Sequence, residues 1–197
     1  MGRPSKKAER LEQILQAFHS CVARYGLEGS TLERIAETSG LQRSLVRHFA
    51  GNRDDLVQQL ADRVIQQSDL QWTALLDYLP EQRPIPALLD NLFDAESSDP
   101  EFVLVIAALT FAAGNNPQLK AMMQQWMTGF SRDIEALLLK QYPNADKPRL
   151  EAVAFGLISL YFNLDSLSPL QQSHHYREPA RLAAQLLVNQ LDPPTGD

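Results

Sequence analysis

The chain has 197 residues, 44% of them hydrophobic and 21% charged, a composition that can bury a real core and excludes a disordered polymer. Its formal net charge is −6, so a surface for a polyanion has to be local. A single cysteine, Cys21, excludes an intramolecular disulfide framework and suits a reducing compartment.

The opening "MGRPSKKAERLEQ" is basic but leads into no apolar stretch, so no secretory signal is read there. The longest apolar run, "FVLVIAALTFAAG", falls short of the ~20 residues of a membrane span and reads as a buried helix. The expected location is the cytoplasm, away from membranes. Almost every segment has helical periodicity and none alternates with period two, so an all-α fold of about nine helices is expected.

Arg3, Lys6, Lys7 and Arg10 form a basic arm of the kind that reaches a minor groove or phosphates, or that merely solubilises a terminus. Leu11, Ile14, Leu15, Phe18, Val22 and Tyr25 follow at helical spacing, with Cys21 as a small core residue and Gly26 as the stop. Ser30 and Glu33 have the spacing of a capping box opening a second helix, which turns Leu32, Ile35 and Ala36 inward. Ser39-Gly40-Leu41 makes a tight connection, and a third helix is expected to bury Leu45, Val46 and Phe49. The spacing Ala36, Gly40, Val46 is that of a helix-turn-helix: a small residue at the crossing, a glycine at the turn, a branched residue as the lock.

The outward side of the third helix carries Gln42, Arg43, Ser44, Arg47 and His48. Arginine can bond guanine O6 and N7 together, glutamine can read adenine, and serine suits base or phosphate. An amphipathic helix has a solvated charged face in any case; the capping box, the Ala-Gly-Val spacing and the local charge favour DNA. Up to Leu56 there are nine Lys/Arg against seven Asp/Glu, or +2, and beyond it nine against seventeen, or −8. A basic head on an acidic body confines any nucleic acid to the head.

Asn52 is a candidate cap for a long fourth helix through Leu56, Leu60 and Val64 to about Leu79. Prolines punctuate the rest. "RPIPALLDNLFDAE" is a short helix, and Pro100 precedes the apolar one. Pro117 and Pro143 bracket a long helix, Pro169 stops "KPRLEAVAFGLISLYFNLDSL", and "REPARLAAQLLVNQL" is the last, before "DPPTGD".

"TLERIAETSGLQRSLVRHFAGNRDDL", following an amphipathic first helix, resembles the TetR family of bacterial transcriptional regulators over roughly Leu11 to Leu60. The resemblance implies a DNA-binding head at 1–52, with its helix-turn-helix at about 30–50, and a helical regulatory and dimerisation body at 53–197. It further implies a homodimer on a double-stranded operator and a small-molecule effector in the body; no cofactor or catalysis is expected, because no catalytic or metal-binding motif is present. A ligand-responsive repressor on a palindromic site is the leading expectation; the alternative is a helical scaffold whose head no longer binds DNA. The candidate DNA contacts are Thr31, Gln42, Arg43, Ser44, Arg47, His48 and Arg53, with Lys6 and Lys7. A gapless match to the family's "G-V-S-x-x-T-L-Y-x-H-F-x-S-K" puts Arg47 on its Tyr, Ala50 on its Phe, Asn52 on its Ser and Arg53 on its Lys.

Most aromatic residues of the body read as ordinary core. Trp72, Phe111, Trp126, Phe130 and Tyr161 are the candidates for an apolar effector pocket, with Asn163 and Asp165 as polar anchors. Phe155 and Phe162 lie one heptad apart on a different stripe from Leu150, Val153, Leu157 and Ile158. With Leu182 and Leu186 of the last helix they are the candidate dimer seam. His174 and His175, read as part of a loop, have no further ligands to make a metal site, and no P-loop, G-x-S-x-G or H-E-x-x-H motif is found.

Overall fold

The computed structural model describes residues 6–192, so Arg3 and most of the final "DPPTGD" lie outside the described residues. Among these residues the regular elements are nine α-helices and one short 3₁₀ turn, an all-α fold. They are α1 (Lys6–Gly29), α2 (Leu32–Ser39), α3 (Arg43–Ala50), α4 (Arg53–Tyr78) and α5 (Pro84–Phe93). α6 (Pro100–Ala113), α7 (Pro117–Gln141), α8 (Lys147–Ser166) and α9 (Ser173–Asn189) complete the set. Two compact units result: one runs to Trp72 and includes Glu101–Met123, the other holds Thr73–Pro100 and the chain from Gln124 onward.

In the first unit, α1 buries Ile14, Leu15, Phe18 and Val22, against which α2 and α3 pack with Ile35, Ala36, Val46 and Ala50. Phe18, Ile35 and Val46 are fully enclosed, each contributing about 1.5–3 kcal/mol by leaving water. Polar ties set the angles. Gln13 Nε2 donates to the Ser39 carbonyl at 2.6 Å, and Arg63 of α4 pairs with Glu12 of α1 at 2.7 Å. Gly26, the expected stop, does break helical geometry inside α1, with φ of 68° and ψ of 175°.

The expected capping box at Ser30 and Glu33 is not formed. Thr31 is the N-cap of α2, its Oγ1 accepting from the Arg34 amide at 3.3 Å, while the Ser30 hydroxyl donates back to the Gly26 carbonyl. The kink at Gly26 presents a carbonyl within reach of Ser30, and the cap moves one residue on. A reciprocal box forms at α4 instead: Asn52 Oδ1 accepts from the Asp55 amide at 3.0 Å and Asp55 Oδ2 from the Asn52 amide at 3.1 Å.

In the second unit, α9 packs against both α8 and α5. α8 is capped by Asp146, whose Oδ1 accepts from the Arg149 amide at 2.9 Å, and it buries Leu150, Val153, Ala154, Leu157 and Ile158 as one stripe. Close approach to α9 depends on Gly156, where a Cβ would sit 2.6 Å from Leu187 Cδ1. Gly156→Val should therefore cost about 1–3 kcal/mol through overpacking, read as a lower denaturation midpoint.

α9 begins earlier than expected. Ser173 opens it, Pro179 lies inside it, and His174 and His175 stand on its first turn rather than in a loop. Reading Pro179 as a helix start follows the usual preference of proline for the first turn; α9 tolerates it in the interior. The stretch Lys147–Leu170 is by length and composition apolar enough to cross a membrane, a test that the core helix of a soluble protein also passes. One side of α8 is buried against its own chain, while Phe155 on another is 73% exposed.

Candidate nucleic-acid interface

The turn between α2 and α3 is built by Gly40, in the left-handed region at φ 68°, ψ 20°. The Leu41 amide donates to the Ala36 carbonyl and the Gly40 amide to that of Glu37, the paired bonds of a Schellman motif. A side chain at position 40 meets no neighbour, so Gly40→Ala should cost only the left-handed strain, about 1 kcal/mol, measurable as a lower melting temperature. From this turn α3 leaves with Val46 and Ala50 buried and Phe49 half-buried.

Gln42, Arg43, Ser44, Arg47 and His48 are all exposed. Gln42 is the N-cap of α3 but makes no side-chain cap bond, so its amide stays available for a base edge. Leu45, expected in the core, is 38% exposed. In so short a helix, Val46 and Ala50 one turn apart fill the inner side and leave Leu45 beside Ser44 and His48. An apolar side chain there has the chemistry to meet a thymine methyl.

The remaining cations stand differently. Arg43 Nη1 pairs with Glu33 Oε1 at 2.8 Å, with both side chains more than half exposed. Arg53, expected to hold a phosphate, has its guanidinium committed within the head: Nη1 donates to the Ser30 carbonyl at 2.8 Å and Nη2 to that of Leu27. Arg34 donates to the neighbouring Gly29 carbonyl and lies 4.5 Å over the Tyr25 ring. Two arginines thus hold the carbonyl end of α1, where cations oppose the negative helix terminus. Lys6 and Lys7 are exposed on the first turn of α1 rather than on an extended arm, and Thr31 is exposed at the head of α2.

No protein-family model matches the chain. Named proteins do. PksA of Bacillus subtilis, an HTH-type transcriptional regulator, is 28% identical over 168 residues, 80% of this chain and 80% of PksA. The HTH-type transcriptional repressor AcnR of Corynebacterium jeikeium is 41% identical over 54 residues, 27% of this chain and 29% of AcnR. The crystal structure of a TetR-family regulator from Cytophaga hutchinsonii superposes with a TM-score of 0.74 at 13% identity, covering 96% of this chain and 98% of that one. The chain has the fold of TetR-family regulators and resembles HTH-type transcriptional regulators in sequence.

The curated relatives it resembles are described as HTH-type transcriptional regulators and repressors. The candidate effector residues of this chain separate. Trp72 and Phe111 belong to the first unit, and Phe111 is 88% exposed. In the second, Trp126 and Phe130 stack with Phe162 edge-on to both, and Tyr161 packs edge-on to Phe162. Phe162, expected on the dimer seam, is therefore half-buried in its own chain's aromatic cluster. Phe155, Leu182 and Leu186 remain exposed. Asn163 is exposed, and Asp165 is 2% exposed with its carboxylate already occupied: it accepts from the Ser98 hydroxyl at 2.7 Å and pairs with Arg177 at 3.4 Å. None of the candidate effector residues lines the open groove of about 750 Å³ in the same unit, whose walls include Tyr78, Asp90, Phe93, His174, Arg177 and Arg181.

Burial, reinforced by Asp165 and Asp99, pushes the Tyr161 phenol up to about 12 from 10.0. With the folded value above the unfolded one, the neutral phenol stabilises the fold fully below about pH 10, and that contribution is lost as pH rises through about 12. Alkali should thus remove about 2–3 kcal/mol that Tyr161→Phe does not lose, seen by comparing denaturant midpoints at about pH 9 and about pH 12.

Proposed function

We propose that this protein is a TetR-type transcriptional regulator, a ligand-responsive repressor that acts in the cytoplasm and binds a palindromic operator as a homodimer, through a head at 1–52 carried on a body at 53–197. The observation that carries the reading is α3: Val46 is fully buried while Gln42, Ser44, Leu45, Arg47 and His48 face outward from a short helix. A helix presented so, directly after a glycine turn, fits the major groove with its first residues on base edges. Thr31 fits an adjacent phosphate, because its capping bond uses only the oxygen lone pair and leaves the hydroxyl proton to donate. Arg47, where the family pattern has Tyr, fits a phosphate through its cationic reach.

The test is selection of duplexes from a randomised pool by the full-length protein, followed by salt titration on the selected site. A motif with half-site centres ~34 Å apart, or a small multiple, supports the reading; the absence of any motif overturns it in favour of a scaffold. Arg43→Ala should cost about 1–3 kcal/mol on that site and relax one base position, whereas Arg47→Ala should weaken all sequences alike and flatten the salt slope by about one.

Arg53→Ala should act first on folding. Losing both carbonyl partners at an exposed site is expected to cost the head about 1–2 kcal/mol, with any loss of DNA affinity following the melting curve. An effector that releases the operator must couple to it by about 1–3 kcal/mol, and operator DNA must weaken effector binding by the same factor. Calorimetry giving equal effector affinity with and without operator would overturn the ligand-responsive part.

A further inference from the structure

Glu33 sits in the first turn of α2, and no capping bond engages it. Its carboxylate reaches instead to Arg43, the first residue of α3, at 2.8 Å. An exposed pair of this kind contributes at most about 1 kcal/mol to stability, so its consequence lies in what it does to the guanidinium.

We infer that Glu33 is a positioning residue for base reading: it holds Arg43 away from the phosphate backbone and aims its free N–H edge at a guanine. The inference rests on the DNA-reading role of α3. A free arginine beside a duplex is satisfied by any phosphate, which offers a bidentate acceptor at every sequence. Paired with a carboxylate, the guanidinium carries no net charge outward and loses that indiscriminate attraction. It keeps its other N–H donors in a rigid fork, and these match the O6 and N7 acceptors of guanine. The carboxylate itself repels phosphates and accepts nothing from them, so an Arg43 that strays to the backbone leaves Glu33 unpaired in a negative field. Affinity for DNA at large falls, and the difference between right and wrong sequence grows.

Glu33→Gln separates these effects. Both side chains are more than half exposed, so helicity and melting should stay as in the wild type. Binding to a scrambled duplex should tighten about fivefold per engaged head at physiological salt, the gain from one more effective phosphate contact. Selection from a randomised pool should return the wild-type motif with about tenfold less discrimination at one guanine per half-site. In an Arg43→Ala background the same change should leave the motif unaltered. If the wild type selects a motif and Glu33→Gln returns it with undiminished preference at every position, the inference is overturned while the DNA-reading role stands. If the wild type selects no motif, both fall together.

Discussion

Replacing Arg177 with alanine should destabilise the protein by about 3–5 kcal/mol, among the largest effects available to a single substitution in this chain. Asp165 is 2% exposed, and Arg177, itself mostly covered, supplies its charged partner. The same guanidinium donates to the Phe93 and Asp94 carbonyls, at 3.4 and 3.0 Å, and so closes the carbonyl end of α5. Alanine removes all of this at once, leaving a buried carboxylate with the Ser98 hydroxyl as its named donor and the α5 terminus uncapped. The pair need not be stabilising for its rupture to be costly. Arg177→Met combined with Asp165→Leu, which removes both charges and refills the volume, should recover most of the loss. Denaturant midpoints of the two variants decide the matter: equal losses would mean that packing around α9, not the stranded charge, dominates.

How far the sequence could be read is clearest in the head. The three residues Ala36, Gly40 and Val46 are local signals, fixed by the steric demands of one turn, and each stands where those demands place it: buried, left-handed, buried. Helix starts at proline and a break at glycine were legible for the same reason, as at Pro100, Pro117 and Gly26. Side-chain partnerships were not. Ser30 and Glu33 have the right spacing for a box, but the kink at Gly26 offers Ser30 a carbonyl and the start of α3 offers Glu33 a guanidinium. Arg53 falls at the Lys of the family pattern, yet the carbonyls of Leu27 and Ser30 lie within reach and take it. Such choices depend on which groups the fold brings close, 23 and 26 residues away in these two bonds.

In the second unit the periodicity of α8 carried more than composition did. An apolar stripe at Leu150, Val153, Leu157 and Ile158 was read as inward and is buried. Phe155 and Phe162 share a heptad stripe, but α8 meets different neighbours along its length. Phe155 is exposed, whereas Phe162 falls beside Trp126 and Phe130. A seven-residue spacing says that two side chains leave a helix on the same side; it cannot say that the same surface lies there. The ion pair of Asp165 and Arg177 had no sequence signal, because each looks like an ordinary charge until α9 is laid against α8.

What remains exposed on α8 and α9 supports the final prediction. Phe155 is 73% exposed, and Leu182 and Leu186, one turn apart on α9, are each 58% exposed. Helices that are apolar on a buried side and again on an open side have a second surface to cover, and isologous pairing about a two-fold axis covers it with its own copy. Under that symmetry each substitution enters the interface twice. In the proposed dimer, Phe155→Asp with Leu186→Asp therefore places four carboxylates in one apolar seam, and its dissociation constant should rise by at least ~1,000-fold, from ~2 kcal/mol or more per symmetric pair. The protomer fold should survive, since neither side chain is part of its own core, so helicity should be unchanged while sedimentation reports a monomer. Specific binding should fall with the dimer, because one head engages one half-site without the local concentration that its partner provides. Binding to scrambled duplex, which needs only the phosphate contacts of a single head, should fall far less. A variant that stays dimeric would place the seam on another face. One that dissociates yet holds the selected site at wild-type affinity would show that the operator is read by one head alone, and the palindrome would be abandoned.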